Sequence, residues 1–208
     1  MSKVKLGILG AGKLGTTLGR LAIQNGYEVL IAGSKEKEKI MLTVEVLVPG
    51  AIVMTKEELV KESDVIILAL PLGKVSSIPT VGLENKIIID AMNYWWEVDG
   101  KQRIPHDPNL SSSEYVAKSL NSNRVVKAFN HMGYHDLEIE SHSETIKAIA
   151  LAGDNDLDKE IVSKLIEDVG FKPLDIGLLK EGIKLEPGSE LFGANLVEKE
   201  FNEIFKNL

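Results

Sequence analysis

Residues 4–15 read Val4-Lys5-Leu6-Gly7-Ile8-Leu9-Gly10-Ala11-Gly12-Lys13-Leu14-Gly15, an apolar run that opens directly into G-x-G-x-x-G. Leu14, Leu18, Leu21 and Ala22 then recur at helical spacing until Asn25-Gly26. A strand, a glycine loop and a helix in this order form the first unit of a dinucleotide-binding fold, whereas the same glycines elsewhere would mark only an ordinary turn. Each glycine has its own reason: Gly10 for the tight turn, Gly12 for close approach of a pyrophosphate, and Gly15 for helix-to-strand packing. Amides and dipole at the new helix N-terminus hold the anion. Gly10, Ala11, Gly12, Lys13, Leu14 and Gly15 are therefore candidate cofactor-binding residues.

The second strand, Tyr27 to Ala32, runs into Gly33-Ser34-Lys35, and Ser34 stands where an NAD-binding fold carries its ribose-binding acid. A carboxylate there accepts from the ribose hydroxyls and repels a 2′-phosphate, whereas a hydroxyl followed by lysines attracts one. The pattern points to NADP, with Ser34 and Lys35 on the phosphate and Lys39 one helical turn further on. Lys35, Lys37 and Lys39 alternate with Glu36 and Glu38, so a solvated helix start is the plainer reading of these charges.

The 208 residues suit one domain, residues 1–208, of which about 177–208 form a small C-terminal extension. A net charge of −7 argues against nucleic acid as a partner and makes local cations such as Lys13 and Lys35 necessary for a polyanionic cofactor. With no cysteine there is neither a disulfide framework nor a thiolate metal site. No apolar stretch reaches the roughly 18 residues of a membrane span, and the chain enters its first strand without a leader, so a cytoplasmic protein is expected.

Strand and helix patterns alternate almost throughout, which predicts an α/β fold of Rossmann type: a doubly wound, mainly parallel sheet with a small C-terminal helical extension. The third strand is read at Ala51 to Met54. Thr55-Lys56-Glu57-Glu58 and Ser111-Ser112-Ser113-Glu114 are capping boxes that open helices. The continuous run Val65 to Leu70, ended by Pro71, is expected as a central strand covered on both faces. Further strands are read at Ile87 to Asp90, Arg124 to Phe129, Thr145 to Ala152 and Phe171 to Ile176. Asp154 or Asn155 caps a helix with Ile161, Val162, Leu165, Ile166 and Val169 on its apolar face, stopped by Gly170. The tail from Leu191 to Leu208 reads as a final helix with Phe201 and Phe205 on one side.

In an open α/β sheet ligands bind beyond the carboxyl ends of the strands, so the segments leaving those ends should converge on one site. They are the glycine loop, Ser34-Lys35, Leu70-Pro71-Leu72, Ala91-Met92-Asn93 and Asn130-His131-Met132. Pro71 is either a strand terminator or part of the lining of a nicotinamide ring. Asn130 and His131 are the candidate pocket residues; His131 donates to substrate or cofactor, or serves a structural hydrogen bond. His131 and His135 are spaced i, i+4, but Gly133 lies between them and no evident helix opens there, so no metal site is expected. Ala91 to Leu110 is long enough to be functional, and its Tyr94, Trp95 and Trp96 suit a satellite core, an oligomer contact or a lid over a planar ligand.

Taken together these segments resemble the F420-dependent NADP oxidoreductase family, with a further likeness to the N-terminal domain of pyrroline-5-carboxylate reductase. The likeness is carried by Gly10 to Gly15, Ala32 to Lys35, Asp64 to Pro71, Asp90 to Asn93, Val125 to Asn130, Ala152 to Asp154 and Gly170 to Gly177. It implies hydride transfer between NADP(H) and a deazaflavin (F420) or flavin, and a homodimer. By position, Ser34, Lys35 and Lys39 would hold the 2′-phosphate, Pro71 and Met92 would face the nicotinamide, and Asn130 and His131 would border the second ligand. Lys35 stands where the family carries arginine, which turns a bidentate clamp into a point charge. The expected activity is an NADPH-dependent reductase acting on a flavin-like, deazaflavin-like or small carbonyl or imine acceptor; the alternative is a non-catalytic NADP(H)-binding sensor.

Overall fold

The computed structural model describes residues 4–34, 36–101, 105, 107 and 109–208. Its strands are β1 (Lys5–Leu9), β2 (Glu28–Ala32), β3 (Ile52–Val53), β4 (Val65–Leu68), β5 (Ile87–Asp90), β6 (Val125–Ala128), β7 (Ala148–Gly153) and β8 (Lys172–Asp175). They form one sheet in the order β3-β2-β1-β4-β5-β6-β7-β8, with every neighbouring pair parallel except β6 and β7. The order 3-2-1-4-5-6 is that of the doubly wound dinucleotide fold, and the reversal of strand order between neighbouring β1 and β4 creates the crevice where ligands bind. The Rossmann-type fold expected from the sequence is therefore present, extended by an antiparallel step into two further strands, β7 and β8.

Register aligns the strand ends. Leu9 pairs with Ala32 and Leu68, Leu68 with Asp90, and Asp90 with Lys127. Gly10, Gly33, Ala69 and Ala91 consequently leave the sheet side by side. The central strands read VIIL and IIID and are buried at every position, because helices cover both faces. One face carries α1 (Lys13–Gln24), α2 (Lys37–Leu47), α6 (Tyr134–Glu140) and α7 (Asp156–Asp168). The other carries α3 (Lys56–Glu62), α5 (Ser112–Leu120) and a 3₁₀ turn, Leu72–Ser77. A third apolar cluster joins Ala148, Ala150 and Ala152 of β7 to Leu185, Leu191 and Phe201 of the C-terminal segment.

Local chemistry accounts for the helix starts. Thr55 and Ser111 accept from the amides of Glu58 and Glu114, and both capping boxes close. Asn155 rather than Asp154 caps α7, and Gly170 follows with φ +94°. Three expectations change. A helix does open beside the histidines: α6 starts after Gly133, with Asp136 in its first turn and Leu137 driven fully into the core. It holds His135 but not His131, so the pair still shares no helical face. Ile161 is 40% exposed instead of joining the buried stripe of α7. The last helix, α8, covers only Glu198–Phe205, and Leu179–Leu185 of the extension forms a 3₁₀ helix. Among its described residues the Trp-bearing segment contains one short turn of helix, α4 (Trp96–Asp99).

Candidate cofactor site

The glycine loop has the three-part construction that a pyrophosphate requires. Gly10, at φ +129°, approaches β4 so closely that a Cβ would collide with the Ala69 carbonyl, and its amide donates to Ala32 O at 2.8 Å. A Cβ on Gly15 would strike the Gly10 carbonyl, whereas one on Gly12 would meet nothing within 4 Å. The open side of the loop is therefore at Gly12. This glycine is the N-cap of α1 and offers no side-chain cap, and the first turn contains no acid. The donors of that turn stay available to an anion. Lys13 is exposed beside them; its Nζ donates to the Tyr134 hydroxyl at 3.0 Å, which holds the ammonium above its usual pKa and keeps it charged. Leu14 packs inward against the core.

From Gly10, Ala11 and Gly12 a cavity of about 380 Å³ runs past Gly33 and Ser34 to Lys39 and Thr43, bounded on the other side by Ala69, Leu70 and Pro71. A second cavity of about 220 Å³ shares Gly10, Ser34 and Pro71 and continues to Lys56, Lys74, Ser77 and Ile78. Ser34, Lys39, Leu70 and Pro71 are thus brought to one cleft with the glycine loop, while Lys35 lies outside the described residues. Lys39 forms an exposed ion pair with Glu36 at 3.0 Å, so the charges of α2 are partly matched within their own turn.

Sequence reasoning missed Lys56 and Lys74. Lys56 is the first residue of α3, which starts at the same sheet edge after β3, and its Nζ donates to Ser77 Oγ at 2.9 Å. The usable signal was that β3 also delivers its tip to this crevice, which makes the next helix start a candidate in its own right.

Toward the tips of β5 and β6 the arrangement differs from expectation. Ala91 and Met92 are buried, and the Met92 side chain packs into the core with Leu68, Ile88 and Val116 instead of facing the cleft. Its amide donates to Asp90 Oδ1 and its carbonyl accepts from Lys127, which together turn the residue inward. Asn93 is only partly buried. It donates to the Asn130 carbonyl at 2.8 Å and accepts from Asn130 Nδ2 at 3.1 Å. Asn130 is thereby tied to Asn93 and to the Leu185 carbonyl. Phe129, just before it, adopts φ +64°, a conformation uncommon for a bulky residue and seen where the surroundings impose it.

His131 turns away from the cleft. It is 1% exposed, its Nε2 accepts from the Ala150 amide at 2.9 Å, and its ring meets Phe201 at 5.9 Å. Burial pushes its pKa down to about 4, so the imidazole is neutral. Of the two functions the sequence left open for it, this geometry is the structural hydrogen bond. Trp95 and Trp96 are 45% and 57% exposed. The Trp95 ring packs edge-on against Phe192 of the C-terminal segment, and its amide donates to Asp99, which in turn accepts from Gly73 beside Pro71.

Residues 5–94 match the family described as NADP oxidoreductase, coenzyme F420-dependent. The metalloreductase STEAP3 of Rattus norvegicus is 29% identical over 184 residues, which are 88% of this chain and 36% of that protein; the chain spans little more than a third of the relative's length. The hypothetical protein SMa0349 of Sinorhizobium meliloti has the same fold with TM-score 0.83 and 25% identity, over 95% of this chain and 97% of that one. A structure from Arthrobacter sp. fb24, assigned as an F420-dependent NADP reductase, shares the fold with TM-score 0.72 and 18% identity over 87% and 88% of the two chains. Among the described residues no helix is long and apolar enough to cross a membrane. The family match over residues 5–94 takes in the glycine loop, Ser34, Pro71 and Asn93.

Proposed function

We propose that the chain is an NADPH-dependent reductase that holds NADP(H) along the tips of β1, β2, β4 and β5 and passes a hydride between it and a flavin-like, deazaflavin-like or small carbonyl or imine acceptor. The observation that carries this reading is the cleft running from Gly12 to Ser34 and Lys39. It joins an uncapped helix N-terminus, suited to a pyrophosphate, to a β2 tip with a hydroxyl in place of an acid, suited to a 2′-phosphate. Bound NADPH supplies the hydride; the chain supplies orientation and charge.

In this reading Gly10 to Gly15 and Lys13 hold the pyrophosphate, and Ser34, Lys35 and Lys39 hold the 2′-phosphate. Lys56 and Lys74 add positive potential from the neighbouring cavity. Leu70 and Pro71 line the cleft, and the Ala91–Asn93 backbone with the Asn93 amide borders the reactive end, braced by Asn130. A redox partner of flavin type is also consistent with the rat relative being a metalloreductase: a hydride carries two electrons and a metal ion commonly accepts one, so a carrier able to divide the pair fits between them. Homodimerisation and a cytoplasmic location belong to the same reading, on the family likeness.

The test is to titrate the chain with NADPH and then follow NADPH oxidation with flavins, the deazaflavin F420, and carbonyl and imine compounds. Tight NADPH binding with turnover on at least one class is expected. Tight binding without turnover on any of them would favour the non-catalytic sensor instead.

A further inference from the structure

Lys127 is an anomaly that cofactor binding does not explain. It stands in the middle of β6, between β5 and β7, and its side chain is wholly buried. Its three ammonium donors are all engaged: Asp90 Oδ2 at 3.2 Å, the Met92 carbonyl at 2.6 Å and Ser112 Oγ at 3.0 Å. Asp90 Oδ2 also accepts from Ser113 Oγ at 2.6 Å, and the Ser112 amide donates to Glu186 of the C-terminal segment at 2.6 Å. The stem is packed against Gly182, where a Cβ would press on Lys127 Cγ.

An apolar side chain of similar length would fill this volume without desolvating a charge, and replacement of buried ion pairs by apolar groups is often neutral or stabilising. What a methionine could not do is direct three hydrogen bonds. Two of them reach residues that bracket the long segment after β5: Met92 at its start and Ser112, just past its end. Beyond Met92 come Asn93, bonded twice to Asn130, and Trp95, docked between Gly73 and Phe192 through Asp99 and a ring contact. Where the Met92 carbonyl is held thus sets where Asn93 and the tryptophan turn sit relative to Pro71.

We propose that Lys127 is a positioning residue for hydride transfer, fixing the two roots of the tryptophan-bearing segment so that Asn93 and Trp95 are set correctly at the reactive end of the cofactor. It acts on the chemical step and on acceptor placement, and it leaves capture of the adenosine half of NADPH unchanged. This rests on the reductase reading given above.

The decisive variant is Lys127→Met combined with Asp90→Asn, which removes both charges together and so avoids leaving a buried carboxylate unpaired. Lys127→Arg keeps the charge and serves as the conservative comparison. The double variant should melt cooperatively and bind 2′,5′-ADP as the unaltered chain does. Its tryptophan emission should become more accessible to acrylamide by about a factor of two, as a docked element loosens. Its kcat should fall about tenfold or more, with a smaller fall in the arginine variant. A folded double variant with unchanged quenching, or with unchanged kcat, overturns the proposal. So does a loss of 2′,5′-ADP affinity parallel to the loss of kcat, which would indicate a general structural role, and so does a double variant that does not fold while Lys127→Arg behaves as the unaltered chain in quenching and kcat. If the unaltered chain turns over no acceptor, the reductase reading fails by itself; the quenching and 2′,5′-ADP measurements need no turnover and still decide whether Lys127 positions the segment.

Discussion

The imidazole of His131 is sealed between β7 and Phe201, accepts from the Ala150 amide through Nε2, and therefore carries its proton on Nδ1. A group held neutral in the fold and free to ionise when unfolded links stability to pH. Its folded pKa, near 4, lies below the unfolded value of about 6.5, so the unfolded chain binds more protons between these limits. Stability from this residue is fully present above the unfolded pKa and is lost as pH falls toward 4, by about 3 kcal/mol. Urea unfolding of the chain and of His131→Gln at pH 7 and pH 4.5 should show a smaller pH-dependent loss in the variant; equal losses would remove His131 from the account. The residue also marks a limit of legibility. Its position one residue beyond the strand tip at Asn130 suggested a pocket ligand, but φ +64° at Phe129 redirects the chain after β6, and no sequence pattern announces such a conformation at a phenylalanine.

Elements with local chemistry were legible from the sequence, and those determined by distant contacts were not. The strand–loop–helix of residues 5–24 and both capping boxes follow from short-range rules, and all appear where expected. The α6 helix was missed because its N-cap is a glycine without a side-chain bond, and the burial of Leu137 is what secures it. In the tail, Phe201 and Phe205 indicated a helix, yet its start at Glu198 depends on how Leu191 to Leu196 pack back on β7. Phe201 is the key residue of that packing: it is 1% exposed and touches both His131 and Phe205. Phe201→Ala should lower stability by about 3–5 kcal/mol, measured by chemical denaturation. A loss below about 1 kcal/mol would mean that the C-terminal segment is a detachable appendage.

For the whole molecule, the extension and the site are joined. Leu185 accepts from Asn130, the Gly193 amide donates to the His131 carbonyl, and Glu186 accepts from the Ser112 amide. These bonds tie Leu185, Glu186 and Gly193 to the segment leaving β6 and to the start of α5. The cleft from the glycine loop to Ser34 was readable because one glycine loop and one strand tip define it within about thirty residues. The acceptor side was not, since it is assembled from segments some forty positions apart whose side chains choose between the cleft and the core only through tertiary packing, as Met92 shows. The account as a whole depends on the cleft at Ser34 being built for a 2′-phosphate. Its most direct test is a fluorescence titration of the chain and of Lys35→Glu with NADPH and with NADH. The predicted result is that the unaltered chain binds NADPH at least about tenfold more tightly than NADH and that the variant loses most of this difference, by weakening NADPH alone. Equal affinity for the two cofactors in the unaltered chain, or equal losses for both in the variant, would contradict it.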